Sequence, residues 1–192
     1  MPRIFTFRIE GLSPYSASRR VFADEYPEVR GETPDALDAR VWPLKCHVGQ
    51  DGESVVIPGV QFKKALVEGS KKKGDKIKGR GASRWSGLLQ TGVHFFGSLD
   101  IGVKRSKAEC VTVLCKAQPS DPKSPQVPRR FPQFTKWGGT LEASVFHDSV
   151  TPEVLTENLA YAGMFNGVGR YAPRVGGHLG MFKVSLVSVR EE

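Results

Sequence analysis

The chain of 192 residues is 39% hydrophobic and 25% charged, the balance of a folded domain large enough for a core without disulfide staples. Lys and Arg outnumber Asp and Glu by 28 to 20, a formal net charge of +8 that makes polyanions the expected partners, nucleic acid ahead of a membrane surface. Three widely spaced cysteines exclude a disulfide framework and a zinc motif, and no apolar run reaches the length of a membrane span, so a reducing cytoplasm is the expected compartment.

Residues 3–10 alternate, with Phe5, Phe7 and Ile9 on one face and Thr6, Arg8 and Glu10 on the other, the pattern of a half-buried strand. Residues 13–37 are polar and hold three prolines, so they read as a long excursion. A hairpin is expected over 39–57, turning at Gln50-Asp51-Gly52, because Asp-Gly suits the left-handed turn positions. Pro58 then opens a helix with Phe62, Ala65 and Leu66 at i, i+3 and i+4, which Gly69 is expected to end. From Lys63 to Arg84 nine Lys or Arg face two acids, Glu68 and Asp75. The glycine-dense part of this run reads as a flexible basic loop, and 69–87 as a second excursion.

Strands follow at about 93–103 and 110–116. Residues 120–134 carry prolines at 122, 125, 128 and 132 beside Arg129 and Arg130. Proline at that density disfavours helix and ladder alike, so 117–136 reads as a third, extended excursion. Leu141, Ala143 and Val145 alternate in the next strand. Thr151-Pro152-Glu153 is an N-cap, a first-turn proline and a first-turn acid in order, leading a helix whose Leu155, Leu159 and Ala162 share a face and which Gly163 stops. Residues 181–189 make the last strand. The order predicts an α+β fold in a single domain over 1–192. Its plan is RRM- or ferredoxin-like, an antiparallel sheet with helices on one face, plus an extra hairpin and long basic loops.

The segment GMFNGVGRYAPRVGGHLGMF (163–182) holds six glycines among Arg170, Tyr171, Arg174, His178 and Phe182. Glycine lets backbone approach a ligand and frees N–H groups for phosphate oxygens, arginine adds charge-assisted forks, and tyrosine offers a stacking face. A turn-rich connection that needs glycines only for geometry is the alternative reading. The expected contacts of a single nucleic-acid strand, RNA or DNA, are Lys63, Lys64, Lys71, Lys72, Lys73, Arg80, Arg84, Arg129, Arg130, Gly167, Gly169, Arg170, Tyr171, Arg174, Gly177 and His178, with Tyr171, Trp85 or Phe134 stacking bases. No nucleophile elbow, phosphate-binding loop or metal-ligand spacing occurs, so no catalytic residue, metal or cofactor is expected. Single acids such as Asp24, Asp38 and Asp100 stand without partners, and His178 is the residue to test as an acid–base.

Three stretches together carry a resemblance: RIEGLSPYSAS after the first strand, VVIPGVQFKKALVEG entering the first helix, and AGMFNGVGRYAPRVGGHLGMFKV at the end. They resemble the RAMP superfamily, RRM-like proteins that form the RNA-binding backbone of CRISPR effector complexes. The resemblance implies nucleic-acid contact at Lys63, Lys64, Gly167, Gly169, Arg170, Gly177 and Gly180. A second resemblance, to small proteins of tailed phages and prophages, runs through RVWPLKCHVGQDGESVVIPGVQFKKALVEGSKK and RRFPQFTKWGG as well. The partners so implied are a nucleic-acid strand, further copies of the chain or CRISPR effector subunits, with no membrane. The rival functions are a phage mimic of a CRISPR backbone subunit and a RAMP-type ribonuclease.

Overall fold

A computed structural model describes residues 2–118 and 120–191, so Pro119 of the expected 117–136 excursion lies outside the described residues. The alternating N-terminal segment is β1 (Arg3–Gly11), with Phe5, Phe7 and Ile9 fully buried. Then come β2 (Tyr15–Ser16), α1 (Pro34–Val41), a 3-10 turn (Trp42–Lys45), β3 (Ser54–Pro58), α2 (Gly59–Lys73) and α3 (Trp85–Gly92). The chain continues through β4 (Val93–His94), β5 (Ser98–Lys104), β6 (Glu109–Lys116), β7 (Gln126–Phe134), β8 (Gly138–Val145), α4 (Pro152–Phe165) and β9 (Phe182–Glu191).

The main sheet has the order β4-β8-β1-β9, and every neighbouring pair is antiparallel. β1, the α2–α3 pair and β4 form one half of a βαββαβ unit, and β8, α4 and β9 form the other. Setting β8 between β1 and β4 interleaves the halves, as a ferredoxin-like sheet requires. Phe62, Leu66, Leu155 and Leu159 of α2 and α4 join Phe5, Phe7 and Ile9 in one buried cluster, so the helices cover that face of the sheet. Each such side chain contributes about 1.5–3 kcal/mol by leaving water. Two insertions complete the molecule: a three-stranded sheet ordered β2-β7-β6 and a β3–β5 pair.

Two glycines expected to end helices lie inside them. α2 runs through Gly69, because a Cβ there would press on the Cα and Cβ of Ala162 in α4. Gly74, at φ 74°, supplies the left-handed stop, its N–H donating to the Ser70 carbonyl at 3.0 Å. α4 likewise passes Gly163, where a Cβ would overlap the Phe182 carbonyl of β9. The expected 39–57 hairpin is shorter. Residues 39–45 belong to α1 and the 3-10 turn, since Thr33 Oγ1 accepts from Ala36 N–H and starts a helix at Pro34. What remains is a tight reversal bridged at Val48 and Val55.

The proline-dense 126–134 segment is a strand, paired with β6 from Glu109↔Gln133 to Lys116↔Gln126. Pro128 and Pro132 fit because both face the outer edge, where no ladder donor is needed. Arg130, between them, shows that edge's direction: its N–H donates to Asp38 Oδ2 at 2.7 Å and its carbonyl accepts from Lys45 Nζ at 2.7 Å.

Candidate nucleic-acid interface

The glycine-rich loop, 166–180, is folded onto itself and its neighbours. Val168 N–H donates to the Gly180 carbonyl at 2.9 Å, Gly180 N–H to Pro14 at 2.8 Å, and Gly169 N–H to Gln61 Oε1 of α2 at 3.1 Å. Gly180 sits at φ 66° with the Val168 carbonyl where a Cβ would be. Cβ atoms would also meet the Tyr171 carbonyl at Gly177, the Tyr15 ring at Gly169 and Pro173 at Gly167, whereas Gly176 opens onto free space. Arg174 faces inward, donating to the carbonyls of Gly167 at 2.7 Å and Gly169 at 2.8 Å. Chain-on-chain packing therefore accounts for most of these glycines. His178 is exposed.

Arg170 leads out of this loop to the second sheet. Its guanidinium lies 3.6 Å from the Phe131 ring centroid and 4.7 Å from that of Tyr171, and it donates to Cys115 Sγ at 3.0 Å. Tyr171 holds its ring there from φ 51°, a strained conformation for a non-glycine residue. Phe131 and Arg170 form the floor of a cleft of about 340 Å3. The walls come from the 18–45 segment and β7, bringing Arg19, Arg20, Lys45 and Arg129 beside Tyr26 and Phe131.

Five cations thus line the cleft against one lining carboxylate, Asp38. Asp38 is 4% exposed and fully engaged, by Lys45 Nζ at 2.6 Å and the Arg130 N–H, so it locks α1 and the 3-10 turn to β7. Arg19 pairs with Glu25, whose carboxyl is held below the usual range first by that hydrogen bond. Arg130 reaches Asp35 at 2.8 Å and serves the same junction. Arg20, Arg129 and Arg170 have no carboxylate partner among the described residues.

The basic segment lies elsewhere. Gln61 meets Gly169, Ala65 meets Asn166, Gly69 meets Ala162 and Lys73 meets Glu157, so α2 and α4 run antiparallel. Lys71–Lys73 are at the far end of α2 from the glycine-rich loop, about 18 Å away at 1.5 Å per residue. Arg80 is there too, donating to Ser149 Oγ at 3.0 Å, and Arg84 is the N-cap residue of α3. The expected contacts of a single strand therefore fall on two separate surfaces. Lys64, Lys71, Lys72 and Arg84 are exposed. Lys73 is bound to Asp75 and Glu157.

Lys63 is turned to a structural task. Its Nζ donates to the carbonyls of Leu89, Gln90 and Val93, satisfying the C-terminal end of α3, and burial pushes its pKa below the ordinary lysine value. Lys63→Met should lower stability by about 1–2 kcal/mol, read by thermal unfolding, and leave oligonucleotide affinity unchanged.

Phe134 is 3% exposed and stacked on Tyr15, which removes it as a base-stacking residue, and Trp85 packs against the core. Sequence reading missed the cleft residues Arg19, Arg20, Tyr26 and Lys45. The signal was there in Ser18-Arg19-Arg20-Val21, a basic pair in a proline-flanked stretch like Arg129–Arg130. His147 Nδ1 accepts from Ser149 N–H at 3.1 Å and closes a turn. Among the described residues no group of three or more His, Cys, Asp or Glu is placed to hold a metal ion, and no helix is long and apolar enough to cross a membrane.

No protein-family model matches the chain, and no curated protein matches it. Among solved structures it is similar to Cmr6 from Pyrococcus furiosus, with TM-score 0.49 and 10% identity over 94% of this chain and 97% of that one. It is also similar to a chain of the Type III-B Cmr-beta complex bound to cognate target RNA, with TM-score 0.44, 12% identity and coverage of 96% and 60%. A chain of a CRISPR RNA-guided surveillance complex gives TM-score 0.42, 14% identity and coverage of 96% and 68%. At these scores the likeness is one of outline.

Proposed function

We propose that the chain binds a single strand of nucleic acid, RNA or DNA, without cutting it, and that the cleft floored by Phe131 and Arg170 is its contact. The observation that carries this reading is the set of three arginines, Arg20, Arg129 and Arg170, without carboxylate partners among the described residues and gathered at one concave surface with aromatic rings. Guanidinium groups suit phosphate because their planar donors match its oxygens in pairs. The +8 charge of the whole chain supports attraction at longer range. The resemblance to small phage and prophage proteins would set the chain in a bacterial cytoplasm.

The test is binding of a labelled single-stranded oligonucleotide across a salt series. Three phosphate contacts at about 0.7 each give a log–log slope of about −2 or steeper. Absence of binding at low salt, with retention of CRISPR effector subunits on the immobilised protein, would replace this reading with that of a protein-binding mimic.

A further inference from the structure

Three aromatic rings gather at the β4 edge of the main sheet, on the face opposite the helices. Val93 and Val145 point into the core, so their neighbours His94 and Ser144, paired in the ladder, point away from it. Phe96 follows β4 and Phe146 follows β8. The His94 and Phe96 rings are parallel within 9° at 5.6 Å between centroids, and Phe146 stands edge-on to both, at 5.6 and 6.5 Å.

These rings do not serve the core: Phe96 is 76% and Phe146 55% exposed. They are nevertheless held in place. His94 Nε2 donates to the Thr91 carbonyl at 3.0 Å, and the Phe146 N–H donates to Gly92 at 2.8 Å. The cost of exposing so much aromatic surface to water marks the patch as an interaction site.

The surrounding charge identifies what it meets. Arg80 reaches Ser149, three residues past Phe146, and Arg84 is the N-cap residue of α3, whose other end, about 12 Å on, leads into His94. Lys76, Lys78, Arg80 and Arg84 have no carboxylate partner among the described residues, whereas Glu142 on the same sheet face is paired with Arg190 at 3.2 Å, and Asp75 with Lys73. Exposed Asp148 is outweighed by the four cations.

We infer that His94, Phe96 and Phe146 are a stacking platform for unpaired bases of a nucleic-acid strand whose phosphates run along Lys76, Lys78, Arg80 and Arg84. The parallel His94–Phe96 pair leaves the outer face of Phe96 free, and a base laid on it continues the stack. Aromatic faces accept any base, so the platform reads no sequence. A duplex hides its bases and gains nothing here. This inference rests on the nucleic-acid reading above and adds to it a second contact, separate from the cleft.

The experiment compares a labelled oligothymidylate with an abasic oligonucleotide of the same length, each titrated with wild type, Phe96→Ala/Phe146→Ala, Phe96→Trp and Arg20→Glu/Arg129→Glu. The double alanine variant should lose on the order of tenfold for oligothymidylate, keep its affinity for the abasic strand and keep its melting temperature, while Phe96→Trp retains binding. Unchanged oligothymidylate affinity in the alanine variant overturns the platform, and so does an equal loss on the abasic strand. If the alanine variant only converts a self-associated species to monomer in sedimentation, the patch joins copies of the chain and the platform is refuted. Failure of wild type to bind either strand sinks both readings, whereas loss confined to the arginine variant sinks the platform alone.

Discussion

Arg20→Glu combined with Arg129→Glu should weaken binding of a single-stranded oligonucleotide by about 100-fold at about 50 mM salt, with the melting temperature unchanged. The two residues line opposite walls of the cleft, one from the 18–45 segment and one from β7. Neither has a carboxylate partner among the described residues, so reversal breaks no ion pair in the fold. Two lost phosphate contacts should also flatten the salt dependence, by about 0.7 each on the log–log slope. Fluorescence anisotropy across a salt series reads both effects. Retained affinity with an unchanged slope would remove the cleft from the interface. Arg130 is the instructive contrast: it is tied to Asp35 and beside buried Asp38, so its reversal would disturb the junction of α1 with β7 and confound binding with folding.

Gly180→Ala should cost about 3 kcal/mol or more, a fall in melting temperature of about 6–12 °C for a chain of this size. Two penalties add at this position. A Cβ would overlap the Val168 carbonyl, and a side chain would have to be carried at φ 66°. Gly176→Ala is the control, because φ is 80° there but the space is open, so only the backbone penalty of about 1 kcal/mol applies. Calorimetry on both variants separates the alternatives. If Gly180→Ala melts like wild type and loses only oligonucleotide affinity, the glycine exists for the ligand's approach and not for the loop's own closure.

Much of the architecture was legible from local pattern. The alternation at Phe5, Phe7 and Ile9 marked β1, and Thr151-Pro152-Glu153 marked the start of α4 to the residue. The same grammar stands at Thr33-Pro34-Asp35, where α1 begins, but the polar surroundings of 13–37 concealed it. Other elements were hidden because their residues answer to distant partners. Gly69 and Gly163 resemble helix stops and are instead contact points with Ala162 and Phe182, more than 15 positions away in the chain in each case. The prolines of β7 read as ladder breakers until it is known that their nitrogens face away from β6. The candidate site was legible as a collection of cations and glycines, and illegible as an arrangement. Spacing along the chain does not reveal that α2 and α4 run antiparallel, which sends Lys71–Arg84 and the glycine-rich loop to opposite ends of the helix layer. Nor does it reveal that Lys63 and Arg174 spend their charge on backbone carbonyls while Arg20 meets only the Phe22 ring, at 5.2 Å, and no carboxylate among the described residues.

The outer edge of β7 has one more consequence. Pro128 and Pro132 offer no N–H, the Arg130 N–H is taken by Asp38, and the carbonyls of Arg130 and Pro132 are taken by Lys45 and Ala17. An incoming strand would find almost nothing there to bond. That side of β7, beside Phe131 and the open cleft, therefore offers no template to a passing strand, the pairing from which cross-β fibrils grow in concentrated solution.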